Sequence, residues 1–171
     1  MSTACVIYDS IYGNTARVAQ AIADRFNQLG LQAELAAVYQ IKKESLSQAA
    51  LLVIGSPTRG YLATPSIREF LAGLSPSSPG QGVAVFDTRL ELAALSPSQK
   101  WAVDVGGYAS AHMAQQLSER KFTVLAENCF FVEGYEGPLK RGELERAEQW
   151  ASHLVELAQG SLAARTNPAV E

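Results

Sequence analysis

Three uninterrupted apolar runs, Ala4–Tyr8, Ala50–Ile54 and Gly82–Phe86, set the narrowest limits on what this chain can fold into. Strands that are hydrophobic without alternation belong in parallel sheets covered on both faces, and parallel strands need a crossover between them, usually a helix. The segments between the runs carry that helical period. Val18, Ile22, Phe26 and Leu29 share one face of a helix ended by Gly30, and Ile67, Phe70, Leu71 and Leu74 share a face of a second that follows Pro65. Leu31–Leu35 alternates apolar and polar residues and reads as a half-exposed edge strand, and Ile41–Gln48 as a short helical turn. Farther on, Tyr108–Arg120 reads as a helix packing through Ala109, Met113 and Leu117, Thr123–Val132 as a last strand, and Leu139–Ala158 as a last helix burying Leu144, Ala147, Ala151, Leu154 and Ala158. Strands alternating with helices predict an α/β domain, a parallel sheet with helices on both faces. Leu90–Gly106 reads as a long loop with a helical turn at Ser96–Trp101, and Trp101 as the apolar anchor of that loop. The domain is expected to span residues 1–159, with residues 160–171 a polar, disordered tail.

With 171 residues, 47% of them hydrophobic, the chain can bury one sizeable core. A net charge of -3 with 18% charged residues leaves no basic stripe for nucleic acid. No apolar run approaches the ~20 residues of a membrane helix and no charged leader precedes an apolar segment, so the expectation is a soluble, cytoplasmic protein without membrane partners. Cys5 and Cys129 lie in apolar runs with no close pair and no histidine at ligand spacing; both are expected to be buried free thiols, and no metal site is expected. His112 and His153 fall within helices without a visible partner and are given no catalytic role.

The chemistry concentrates at Tyr8-Asp9-Ser10-Ile11-Tyr12-Gly13-Asn14-Thr15, a strand end, a small polar turn and a helix start. First-turn N–H groups lack intrahelical acceptors and the helix dipole favours negative charge, so this arrangement suits a phosphate, with Ser10, Asn14 and Thr15 as side-chain donors and Gly13 allowing close approach. An ordinary capped turn would use the same residue types. The stretch resembles the phosphate loop of the flavodoxin-like family, with one departure. Tyr12 stands where many members carry a short hydroxyl, so its contact is expected through backbone N–H. Gly55-Ser56-Pro57-Thr58-Arg59-Gly60-Tyr61 is similar to the family's second flavin loop, and Phe86-Asp87-Thr88-Arg89 stands where its third loop begins. Phe131-Val132-Glu133-Gly134 and the following Glu136-Gly137-Pro138-Leu139 and Gly142-Glu143-Leu144-Glu145 are similar to the close of one bacterial branch, of the short-chain type.

The resemblance implies a doubly wound sheet of five strands in the order 2-1-3-4-5, FMN as a non-covalent cofactor, its phosphate on the first loop, and its ring between the second and third. Cofactor-binding residues are then expected at Ser10 to Thr15, at Pro57, Thr58, Arg59, Gly60 and Tyr61, at Asp87, Thr88 and Arg89, and at Gly107 and Tyr108. Asp87 by itself reads as a turn former. Tyr61 is the first candidate for stacking on the ring, with Tyr108 and Trp101 as rivals. The implied function is electron transfer to a redox partner protein or a small-molecule acceptor. Two other readings stay open: an FMN-dependent NAD(P)H or quinone oxidoreductase of the same fold, and a flavin-free interaction protein, against which the intact Ser10, Gly13, Asn14 and Thr15 argue. Arg59 and Arg89 depart from the acidic flavin face of a ferredoxin-replacing shuttle, and a guanidinium near the ring favours the reduced, anionic flavin.

Overall fold

The structure, a computed structural model, describes residues 3–166. Strands β1 (Thr3–Tyr8), β2 (Gln32–Ala37), β3 (Leu51–Pro57), β4 (Gly82–Leu90) and β5 (Thr123–Val132) alternate with helices α1 (Asn14–Gln28), α2 (Lys43–Gln48), α3 (Pro65–Gly73), α4 (Pro97–Gly106), α5 (Ala109–Glu119) and α6 (Glu143–Thr166). The sheet is parallel throughout, in the expected order β2-β1-β3-β4-β5.

Each face of the sheet has its own core. Val6, Val53, Ala84 and Phe86 pack beneath α1 and α6, while Cys5, Ile7, Ile54 and Val85 meet α3 and α5. Double coverage is why Ala4–Ile7, Leu51–Ile54 and Val83–Phe86 of the central strands are apolar without alternation, and β2, at an edge, is buried only towards its end. Phe86, Phe130 and Trp150 form an edge-to-face triad with centroids 5.7 to 6.1 Å apart, tying β4 and β5 to α6. A fully buried Phe of this kind contributes about 1.5 to 3 kcal/mol.

Three elements differ from the sequence reading. Leu29 is the C-cap of α1 and 41% exposed, so its helical face ends at Phe26. The expected loop at 90–106 is mostly helix, since Ser96 and Gln99 form a reciprocal capping box with Pro97 in the first turn. No side chain of α4 is buried and Trp101 is 69% exposed, so Trp101 does not anchor this segment. α6 starts at Glu143 rather than Leu139, because Leu139 bridges to Val132 and Lys140 N donates to Phe131 O (2.9 Å), holding the chain on β5. It also runs through Gly160 to Thr166: one glycine costs a helix about 1 kcal/mol and the Leu162-Ala163-Ala164 that follows favours continuation. The rest of the expected tail, residues 167–171, lies outside the described residues.

Candidate functional site

β1 and β3 are neighbours, yet α1 lies on one face of the sheet and α3 on the other, so the chain parts at their carboxyl ends and leaves a crevice. A cavity of about 290 Å³ opens there. The first loop frames one end. Asp9 N donates to Gly55 O (3.1 Å) and Asp9 Oδ1 accepts from Ser10 N (2.9 Å), which fixes the loop on β3. Gly13, the N-cap of α1, has no side chain to offer, so the first-turn N–H groups keep their capacity for an anion. Ser10 Oγ accepts from Gly13 N (3.1 Å), leaving its own proton to donate. Thr15 Oγ1 lies 2.8 Å from Thr88 Oγ1; one donates to the other, and one hydroxyl proton remains for a ligand. Asn14 Nδ2 donates one N–H to Glu136 O (2.9 Å) and so pins the turn after β5, with its second N–H left to donate. Glycine suits the turn, because φ at Gly137 is 108° and a Cβ there, 2.6 Å from the Asn14 amide, would displace that side chain from Glu136 O.

The second loop turns sharply. Arg59 N donates to Leu62 O (2.8 Å) and Leu62 N to Arg59 O (3.1 Å), with φ of 52° at Gly60 and 70° at Tyr61, the pattern of a type I′ turn. Left-handed backbone at a tyrosine costs of order 1 to 3 kcal/mol and persists where the surroundings hold it. Tyr61 is held against the end of α4, where a Cβ on Gly106 would come 3.3 Å from its Cγ, and it lines the cleft. Arg59 is half-buried. Its guanidinium carbon stands 4.6 Å from the ring centroid of Tyr135 and 5.6 Å from that of Tyr12, and it joins no salt bridge among the described residues.

Asp87 is a correction to the expected set, being fully buried and absent from the cleft wall. Its Oδ1 accepts from Arg89 Nε at 2.6 Å, and its Oδ2 from Thr58 Oγ1 (2.9 Å) and Ser110 N (3.0 Å). Thr58 Oγ1 in turn accepts from Ala109 N (3.2 Å). The first two N–H groups of α5, whose N-cap Tyr108 offers no side-chain cap, are thus satisfied by the second and third loops. Arg89 also donates to Ser110 Oγ (3.0 Å) and lies 3.6 Å from the centroid of the Tyr108 ring. Burial works against its charge, but the Asp87 carboxylate outweighs it and holds the guanidinium pKa above its usual value. Burial likewise pushes the Asp87 carboxyl upward, opposed by Arg89, Ser110 N–H and Thr58.

Of the other expected residues, Ser10, Ile11, Tyr12, Asn14, Thr15, Pro57, Thr58, Arg59, Gly60, Tyr61, Thr88, Arg89 and Tyr108 line one cleft, whereas Gly13 and Gly107 serve as caps of α1 and α4 outside its lining. Trp101 is not part of this wall, which removes it as a stacking candidate. Sequence reasoning missed Leu90, Leu95, Gln99, Val103, Val132 and Tyr135, which complete the wall. The capping box at Ser96–Gln99 was the signal for two of them, Gln99 and Val103, since it turns the segment into a helix that faces the cleft. Hydroxyl and N–H donors at one end and tyrosine and aliphatic walls at the other fit a flat ring carrying a phosphate tail. Among the described residues no His, Cys, Asp and Glu group suits a metal ion, and no helix is long and apolar enough to cross a membrane.

Sheet order, crevice and loop chemistry together define a protein of the flavodoxin-like class. The chain belongs to the flavodoxin family, whose profile matches residues 6–150. Proteins of this family bind flavin, generally FMN. An archaeal flavodoxin superposes with a TM-score of 0.71 at 20% identity, over 92% of this chain and 99% of that one. The two-electron reduced flavodoxin of Megasphaera elsdenii gives 0.64 at 18% identity, over 88% and 98%. Rubredoxin oxygen:oxidoreductase of Desulfovibrio gigas gives 0.72 at 19% identity; the match covers 96% of this chain and 38% of that longer one. At these identities the likeness is one of fold. A comparison with proteins of curated function found no match.

Proposed function

We propose that this chain binds FMN in the cleft and acts as a flavodoxin-like electron carrier of the cytoplasm, serving a redox partner protein or a small-molecule acceptor. The observation that carries this reading is the junction, in one cleft at the β1–β3 switch point, of the Ser10, Thr15 and Thr88 hydroxyls with the tyrosine walls of the second and third loops. Bound FMN supplies the redox chemistry. The first loop and the first turn of α1 hold the phosphate, Tyr61 and Tyr108 flank the ring, and Leu90, Leu95 and Val103 keep water from its apolar end. Pairing with Asp87 balances the charge of Arg89, so the two arginines do not make the cleft strongly cationic. Both cysteines are free thiols, in keeping with a reducing compartment.

Titration of FMN into flavin-free protein, followed by quenching of flavin fluorescence, tests the reading. Near-stoichiometric quenching is expected, and FMN fluorescence that stays unquenched overturns it. A loaded protein that oxidises NADH or NADPH with a quinone and no added reductase is an oxidoreductase rather than a carrier.

A further inference from the structure

The first loop lacks a counter-ion. From Asp9 to Thr15 it contains one carboxylate and no cation, and its Tyr12 takes the place of a short hydroxyl donor. A phosphomonoester near pH 7 carries a charge of about −1.5 to −2, and hydrogen bonds to charged groups are the stronger ones when the donor is charged too. One cation faces this end of the cleft without a carboxylate of its own. Arg59 reaches from the second loop to Tyr12, a residue of the phosphate loop, at 5.6 Å, and is flanked on its other side by Tyr135 at 4.6 Å. Both Arg59 and Tyr12 line the cleft. Arg89, the other cationic side chain of the wall, is already committed to Asp87 at 2.6 Å. Cation–aromatic contacts leave the in-plane N–H donors of a guanidinium free, so an arginine held between two rings is positioned and still able to grip an anion.

We propose that Arg59 is the counter-ion of the cofactor's terminal phosphate, with Tyr12 exchanging a hydroxyl contact for the job of holding that arginine over the loop. This rests on the reading that the cleft takes FMN and gives that site its specificity: a terminal phosphate dianion is selected by a charge from the second loop. Arg59 makes no side-chain hydrogen bond or ion pair among the described residues, so its replacement gives up the two ring contacts but leaves the backbone hydrogen bonds of the turn, Arg59 with Leu62, in place.

The test compares FMN with riboflavin, which lacks the phosphate, on wild-type protein, Arg59→Gln and Arg59→Lys, by fluorescence quenching at low and high salt. Arg59→Gln should weaken FMN binding roughly ten- to hundredfold and leave riboflavin within about twofold. Arg59→Lys, with the charge but not the fork, should fall between. Wild-type FMN affinity should decline with salt, and that decline should flatten in Arg59→Gln. Equal weakening of both ligands, or an unchanged FMN affinity in Arg59→Gln, overturns the role of Arg59 while leaving the FMN reading in place. Wild-type protein that binds neither flavin overturns both.

Discussion

Replacing Asp87 by asparagine isolates the contact on which the cleft is mounted. The carboxylate is fully buried and its partner Arg89 is 13% exposed, with Nε to Oδ1 at 2.6 Å. Opposite charges about 4 Å apart at an effective dielectric near 20 attract by about 4 kcal/mol. Asparagine removes that attraction and also turns an N–H donor towards one of three donors, Arg89 Nε, Thr58 Oγ1 or Ser110 N, which then loses its acceptor. Removing one partner of a buried pair costs about 3 to 5 kcal/mol, and for a domain of this size each kcal/mol moves Tm by about 2 to 4 °C. Asp87→Asn should therefore lower Tm by about 10 °C, with a matching fall in the urea midpoint of flavin-free protein followed by circular dichroism. Arg89→Gln should cost a similar amount by stranding the carboxylate. The double variant should be more stable than additivity predicts by about 2 kcal/mol, since neither charge is then left alone. A loss under about 1 kcal/mol in Asp87→Asn, or additive losses in the cycle, would refute this account of the pair.

Three further outcomes are expected. Thr15→Val breaks the hydroxyl pair with Thr88 while nearly keeping shape, so FMN should bind at least about tenfold more weakly and riboflavin should be little changed; equal loss for both would assign Thr15 to the framework. Tyr61→Gly relieves left-handed strain but opens the cleft wall, so flavin-free protein should be as stable as wild type or more so, with FMN and riboflavin weakened alike, by roughly tenfold; a drop in stability with unchanged flavin affinity would contradict it. Burial, with Glu34 adding to it, pushes the Cys5 thiol up to about 11. The fold therefore keeps this proton after the unfolded chain has lost it. Its stability contribution is complete below the unfolded value of about 8.5 and declines towards pH 11, by about 3 kcal/mol in all. Urea unfolding of wild type and Cys5→Ala across that range should show the excess decline only in wild type, and parallel curves would exclude Cys5 as its source.

Central strands were legible because burial on two faces leaves no room for polar residues: Ala4–Tyr8 and Ala50–Ile54 announce their place in the sheet by composition alone. The first loop was legible through backbone demands, a glycine at the helix start and small polar neighbours. Asp87 was not, because nothing local distinguishes a carboxylate that ends a strand from one that accepts from a helix 23 residues later. α4 was hidden by weak amphipathicity, and its Ser-Pro-Ser-Gln start outweighs the pattern of its faces. Trp101 misled for a related reason: a large aromatic among polar residues reads as an anchor unless its helix buries nothing.

The capping of α5 by Thr58 and Asp87 makes part of this protein a single unit of exchange. A segment transplanted at 57–62 alone, without a hydroxyl at position 58, would orphan Ala109 N–H and remove one donor from Asp87, and a new 87–89 alone would orphan Ser110 N–H. Homologous replacement of these pieces should succeed only when 58, 87, 89 and 110 travel together. The stretch from Leu92 to Val105 carries no such obligation, since α4 buries no side chain and the ties of this segment lie at its two ends, Glu91 with Lys140 and Gly106 against Tyr61. Chimeras that vary it alone should keep the first, second and third loops in register while changing what the cleft meets at its rim.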